Sequence, residues 1–293
     1  MDKNKLATIL LLFIAVLWGY SFIPSSILIN SGVSSELLLF ARFGIGALGL
    51  GVVCFKQIKN SAKADVRAGL LAGLCIIFAI YMQNSSFGYT TVSKSAFISG
   101  SSIILVPFLA YFLNNSSITI KNIIGLILAV AGIVVLSVDI TTFSSINFGD
   151  FLAMLSAIGF TMQIVLLAKF GKGTNSICVA FYQMSVVCIG GAILVIAKGG
   201  ATDTLFTQDN IMALLYLGIF ATVICYIIQA WAAKYVKEVV LSIIIASQAI
   251  LASIFDVVLL GTSVTMQLII GAVLISAAII YLTLDKDNKR SLE

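Results

Sequence analysis

Five glutamines stand inside long apolar runs of this chain: Gln83, Gln163, Gln183, Gln229 and Gln248. A primary amide carries two donors and two acceptor lone pairs. In hydrocarbon it needs partners, which come from a neighbouring helix or from a solute in a cavity. Both readings stay open from the residues alone. Two charges also lie within apolar runs. Arg42 is eight residues into its run, or ~12 Å deep at ~1.5 Å per helical residue. Asp256 is four residues from the end of its run, or ~6 Å deep. A charge at a bilayer centre costs about 2.5–3.5 kcal/mol on insertion scales, so each asks for a reason. Arg42 reads either as a cavity residue or as an anchor holding backbone carbonyls. It pairs with Asp256 if their two runs adjoin. Trp18, Tyr20, Tyr81, Phe97, Phe160 and Tyr226 add aromatic faces, suited to stacking on a ring or holding a cation. Trp231 lies near the end of a run and reads as an interfacial anchor.

Other chemistries are poorly supplied. There is no histidine, so His-based catalysis, His-ligated metal and imidazole relays are excluded. The five cysteines, Cys54, Cys75, Cys178, Cys188 and Cys225, lie in apolar runs and form no Cys-x-x-Cys pair. Neither a disulfide framework nor a zinc site is expected from them. No metal and no cofactor is expected, and no Gly-Lys-Ser/Thr loop is present to bind ATP.

The elements that must position these groups follow from composition. Of 293 residues, 60% are apolar and only 10% charged, with a mean hydropathy of +1.14. A soluble domain is about 25% charged. The expected class is an all-α integral membrane protein. Ten apolar segments can be marked, at roughly 6–29, 34–55, 68–84, 94–113, 121–138, 148–169, 176–197, 210–232, 239–260 and 267–284. Most approach the ~20 residues that cross ~30 Å of hydrocarbon. The first is too long for a signal-peptide core and reads as an uncleaved span. If the ten spans alternate, 14 Lys and Arg fall at one face and only Lys94 and Lys198 at the other. The positive-inside rule then puts both termini in the cytoplasm. The net charge of +5 follows those loops and is no nucleic-acid footprint.

Residues 83–133 recur at an offset of 146. Gln83 meets Gln229, Tyr89 meets Tyr235, Ser117 meets Ser263, Thr119 meets Thr265 and Gly125 meets Gly271. The offset maps the third segment on the eighth, the fourth on the ninth and the fifth on the tenth. Each half thus holds five spans, over 1–140 and 146–286. Five is odd, so the second half enters the membrane from the other side. The expected fold is ten transmembrane helices as two inverted five-helix repeats, with a solute site near the midplane between them. Gly44, Gly46, Gly49 and Gly51, and the stripe Gly125, Ala129 and Gly132, read as close-packing faces. Pro24 and Pro107 read as candidate kinks.

Several runs resemble the drug/metabolite transporter superfamily, EamA type. They are Leu17-Trp18-Gly19-Tyr20-Ser21-Phe22, Phe40-Ala41-Arg42-Phe43, the stretch from Ser93-Lys94-Ser95-Ala96-Phe97-Ile98 to Leu105-Val106-Pro107-Phe108-Leu109, and Tyr216-Leu217-Gly218-Ile219-Phe220-Ala221-Thr222. The resemblance covers essentially the whole chain. It implies a ten-helix fold with a central cavity and alternating access, usually exporting small metabolites or amino acids. The family often has Gly-Glu after the fourth and ninth spans and Glu-Pro within the ninth. This chain reads Asn114-Asn115, Gly261-Thr262 and Gln248-Ala249 there, so no role of those glutamates is carried over.

The function expected is therefore a secondary transporter of a small organic solute in a bacterial cytoplasmic membrane, an exporter, as a monomer or a homodimer. The substrate residues expected are Trp18, Tyr20, Arg42, Tyr81, Gln83, Phe97, Phe160, Gln163, Tyr226, Gln229 and Gln248. Its partners are the solute and the lipid bilayer. The alternative from another class is a membrane enzyme acting on a lipid-linked substrate. That reading wants a cluster of carboxylates, histidines or metal ligands at one face, and the acids here are scattered.

Overall fold

The computed structural model describes residues 3–115, 118–137, 147–198, 207–236 and 238–283, and among them every regular element is helical. The helices are α1 (Lys3–Asn30), α2 (Ser35–Val53), α3 (Phe55–Lys59), α4 (Lys63–Ser86), α5 (Val92–Gly100), α6 (Ser102–Asn114), α7 (Ile120–Ser137), α8 (Phe148–Phe170), α9 (Ser176–Ala197), α10 (Gln208–Gly218), a π-helical turn (Ile219–Ile224), α11 (Cys225–Ala232), α12 (Glu238–Ala246), α13 (Gln248–Leu260) and α14 (Met266–Thr283). Eight stretches are long and apolar enough to cross a membrane, with α5–α6, Asn210–Ala232 and α12–α13 each counting as one. Shorter apolar helical stretches, Ile123–Gly132 and Met266–Ala278, stand where the fifth and tenth segments were expected. The junction of the halves at 138–146 lies outside the described residues.

Helix starts follow the local sequence. The side chains of Ser34, Thr91, Asn147 and Asn175 each accept a backbone N–H of the first turn that follows. Such caps satisfy donors that the helix itself leaves open. Large apolar side chains point outward along the spans, among them Leu48, Val52, Phe112, Ile193 and Val258. An outer surface of this kind suits lipid.

Side chains that tie loops together show how the helices alternate. At one face the Asp65 carboxylate accepts the N–H groups of Ala62 and Asn175, each at 2.8 Å. There Lys234 donates to the Thr174 carbonyl and Lys169 to that of Leu113. Burial lowers the Lys234 pKa, and Asp65 opposes that shift. We call this the basic face, since Lys3, Lys5, Lys63 and Arg67 also lie at helix ends on it. At the opposite face Thr90 donates to Asp150 at 2.9 Å, and Lys198 pairs with Glu36 at 2.8 Å.

The two halves are related helix by helix. Span four breaks at Ser101, between α5 and α6, and span nine at Ser247, between α12 and α13. These serines are 146 positions apart, the offset of the sequence repeat. The broken helices cross there, where a Cβ on Gly100 would lie 3.2 Å from that of Ala249. α7 packs on its own mate α14, and α4 packs on α8 as α1 packs on α10 and α11. Small residues permit this closeness. A Cβ on Gly159 would come 2.8 Å from the Ala79 Cβ, and one on Gly132 3.0 Å from the Gly271 carbonyl. Dispersion between backbones must hold helices together where lipid supplies no hydrophobic drive. Pro24 and Pro107 lie within continuous helices, so the break of span four precedes Pro107 by six residues.

Glu36, two residues into the second apolar segment, is only 6% exposed. Its partner Lys198 also donates to the Tyr81 hydroxyl at 2.6 Å. The hydrogen bond to Glu36, then that to Tyr81, raises the Lys198 pKa. A lysine pKa raised on folding stabilises below the unfolded value near 10.4 and is lost only as pH climbs through the folded one. The strap is therefore intact at neutral pH. Lys198→Met leaves a buried carboxylate unpaired, whereas Glu36→Gln keeps an acceptor for a half-exposed lysine. We expect Lys198→Met to cost about 1–3 kcal/mol, and Glu36→Gln under about 1 kcal/mol. Thermal melts of the two variants check the order. Equal melting temperatures would remove the strap from the account.

Candidate solute cavity

A cavity of about 630 Å³, open mouth included, lies between the halves. α1 contributes Trp18, Ser21, Phe22 and Ser25, which share one face at helical spacing. α2 adds Arg42, α4 adds Gln83 with Phe87 just past its end, α8 adds Phe160 and Gln163, and α11 adds Tyr226 and Gln229. Ser102, Ile245 and Gln248 line it near the two helix breaks. Polar groups of both repeats thus face one shared cavity, where the solvation they lack from lipid can be supplied.

Toward the basic face the lining includes Gln163 and Gln229, which join Gln183 behind them in a cluster of three amides. Gln163 Nε2 donates to Gln229 Oε1 at 2.9 Å and to Gln183 Oε1 at 3.2 Å, and Gln229 Nε2 donates back to Gln163 Oε1 at 3.3 Å. All three are at most 3% exposed. Gln183 Nε2 is buried without a hydrogen-bond partner. From these glutamines the lining runs toward the opposite face as far as Ser25 and Phe87.

One wall is organised by the π-helical turn. Its wider winding departs from the one-to-four ladder, a feature common at functional sites. The Ala221 carbonyl within it accepts two side-chain donors, Trp18 Nε1 at 2.8 Å and Arg42 Nη2 at 3.3 Å. Arg42 Nε donates to the Thr222 hydroxyl at 2.7 Å. The Tyr226 ring, one helical turn on, stands edge-on to Trp18 and to Phe43, with centroids 5.6 and 5.8 Å away. Arg42 is therefore both an anchor and a lining residue. Its guanidinium fixes the turn while remaining at the cavity wall.

Two copies of the EamA-like transporter family match the sequence, at residues 5–138 and 147–284. The chain belongs to the EamA-like transporter family. Relatives of this EamA-like chain include an uncharacterized transporter of Archaeoglobus fulgidus, 24% identical over 96% of this chain and 87% of its own. An uncharacterized transporter of Clostridium kluyveri is 26% identical over 92% and 91%. A WAT1-related chloroplastic protein of Arabidopsis thaliana is 28% identical over 85% of this chain and 63% of its own. A solved crystal structure shares the fold at a TM-score of 0.72 over 99% of both chains, with 17% identity. The family and these relatives make the protein a membrane transporter.

Within this EamA-like fold, eight of the expected solute residues border the cavity: Trp18, Arg42, Gln83, Phe160, Gln163, Tyr226, Gln229 and Gln248. Three do not. Tyr20 is 36% exposed and packs edge-on against Tyr216 and Phe255. Tyr81 gives its hydroxyl to Lys198, and Phe97 is buried in a cluster with Phe22, Ile103 and Ala249. The repeat mates Gln83 and Gln229 both line the cavity but have separate partners. Gln83 donates to Ser99 at 3.0 Å, three residues before α4 ends, and Gln229 lies three residues before α11 ends. Inversion puts these mates at opposite depths, so each serves its own end. Nor do Arg42 and Asp256 pair. Asp256 accepts the Ser93 N–H at 2.9 Å, the Ser93 hydroxyl, and the Thr262 hydroxyl at 2.8 Å. A carboxylate at the first turn of α5 is stabilised by that helix's N-terminal N–H groups.

Ser21, Ser25 and Ser102 were not picked out by sequence reasoning. A helical serine satisfies itself on a carbonyl one turn back, as Ser21 does on Trp18 at 2.7 Å, and so carries little signal. The one available clue was the 18, 21, 22, 25 spacing on the face of Trp18.

Proposed function

We propose that this membrane transporter is a secondary carrier that moves a small organic metabolite, an amino acid or similar solute, by alternating access, and that it works as an exporter from the cytoplasm. The observation that carries the reading is the cavity at the interface of two inverted halves, lined from both by amides, hydroxyls and aromatic rings. The matched breaks at Ser101 and Ser247 supply joints at which the halves rock. The glutamine cluster and the Asp65–Asn175 and Lys234–Thr174 contacts support a form closed toward the basic face. Solute exchange is the test. Purified protein in liposomes loaded with an unlabelled amino-acid mixture is expected to accumulate labelled amino acid by counterflow. Empty liposomes set the background, and no accumulation above it for any amino acid or related acid would overturn the reading.

The orientation belongs to the same proposal. The positive-inside rule assigns the basic face to the cytoplasm of a bacterial cell and so both termini as well. Single cysteines at Ser61 and Ser145, in a cysteine-free background, are expected to label from opposite sides of the membrane. Ser61 begins the approach to α4, and Ser145 falls outside the described residues. Labelling of both from one side would contradict the inverted arrangement.

A further inference from the structure

The Arg42 guanidinium carries an unanswered charge. It offers five N–H donors in a planar fork. Two have acceptors, the Thr222 hydroxyl on Nε and the Ala221 carbonyl on Nη2. Nη1 has none among the described residues, yet it is not among the occluded polar atoms without a partner. Arg42 is 5% exposed, and the cavity is the space it borders. No carboxylate stands among the lining residues. Glu36, six residues before Arg42 on the same helix, is already engaged by Lys198, and Asp256 by Ser93 and Thr262. A buried cation lacking a counter-ion is costly, and a neutral carbonyl, a hydroxyl and the Phe43 ring, 5.4 Å from the guanidinium carbon, compensate it only in part.

We propose that Arg42 is the anion receptor of the cavity and that the solute is a small organic carboxylate, held through Nη1 while Nε and Nη2 keep the fork fixed on the π-helical turn. This rests on the transporter reading for the site and adds the chemistry of its ligand. Nη1 and the second N–H of Nη2 remain as a planar pair of donors, which suits a carboxylate better than a point charge does. The wall beside Arg42 is aromatic, with Trp18, Tyr226 and Phe160. An apolar or aromatic body on the carboxylate fits there. Gln83 and Gln248 supply amide oxygens for an ammonium, so an amino acid and its desamino acid share the anion site. A cation without an acid group meets an uncompensated positive charge.

The test compares matched acids and amides on the purified protein. The probes are 3-phenylpropionate, L-phenylalanine, 4-methylpentanoate and L-leucine, against 3-phenylpropionamide, L-phenylalaninamide, 4-methylpentanamide and L-leucinamide. Affinities come from thermal-shift titrations, because a ligand of the folded state raises its melting temperature. At least one acid is expected to bind at least tenfold more tightly than its amide, and Arg42→Gln is expected to erase that preference. The amino acid against the desamino acid tells whether the ammonium is read as well. Should Arg42→Gln fail to fold, the wild-type comparison of acid with amide still decides. Amides that bind as well as their acids, an acid preference surviving Arg42→Gln, or no binding by any acid would overturn the proposal. Counterflow separates this from the parent reading. An acid that binds but is not exchanged overturns transport and leaves the anion site standing. An amide exchanged as fast as its acid overturns the anion site and leaves transport standing.

Discussion

Arg42→Lys is expected to reduce solute exchange at least tenfold while the protein still folds. Arginine reaches the Thr222 hydroxyl and the Ala221 carbonyl through two different nitrogens. A lysine Nζ is a point charge and cannot hold both while facing a solute. At least one charge-assisted hydrogen bond is lost, worth about 1.5–3 kcal/mol, which corresponds to roughly tenfold to a hundredfold in affinity. The fold suffers less, because Trp18 still donates to the Ala221 carbonyl and leaves no orphan acceptor there. The check is exchange rate and melting temperature on one preparation. A melting temperature that falls in step with activity would make Arg42 an anchor alone.

The second large effect is expected at Gln163. Its amide is the hub of the cluster, donating to Gln183 and Gln229 and accepting from Gln229. Gln163→Leu strands two amides that are at most 3% exposed. Each buried polar group left unsatisfied costs about 1–3 kcal/mol, so a loss of about 2–6 kcal/mol is expected for the pair. Gln229→Leu is milder, because Gln163 retains Gln183. Gln83→Leu is milder again, since Ser99 still donates to the Ser95 carbonyl. The repeat mates are thus expected to differ in stability although both border the cavity. Adding Gln229→Leu to Gln163→Leu is expected to cost less than the sum of the single losses, as coupled neighbours do. Additive losses on melting would dissolve the cluster as a unit.

The sequence carried the repeat and with it the inverted fold. The offset that pairs Gln83 with Gln229 also pairs the helix breaks at Ser101 and Ser247. It carried much of the polar lining too, because an amide or a guanidinium inside an apolar run is costly enough to imply a purpose. Rotation about each helix axis was less legible. In a water-soluble helix the polar side marks solvent, whereas here lipid and protein interior are equally apolar. Tyr20 and Trp18, two residues apart, therefore read alike, yet one packs outside the cavity against Phe255 and the other lines it. Tyr81 stands outside the lining for another reason. Its partner Lys198 reaches it from a helix end 117 residues away. The π-helical turn had no signal of its own, since Ile219–Ile224 reads as ordinary apolar helix. Only the donors converging on Ala221 make its purpose visible.

On the proposed function, solute passes through the cavity between the two halves. Ser25 lines that cavity at its end toward the opposite face. A Ser25→Cys variant in a cysteine-free background, placed in liposomes and treated with methyl methanethiosulfonate, tests it most directly. Modification is expected to stop counterflow of the acid that binds best, and saturating acid is expected to protect both the thiol and the activity. A cysteine modified to completion with exchange continuing at the unmodified rate would contradict the account.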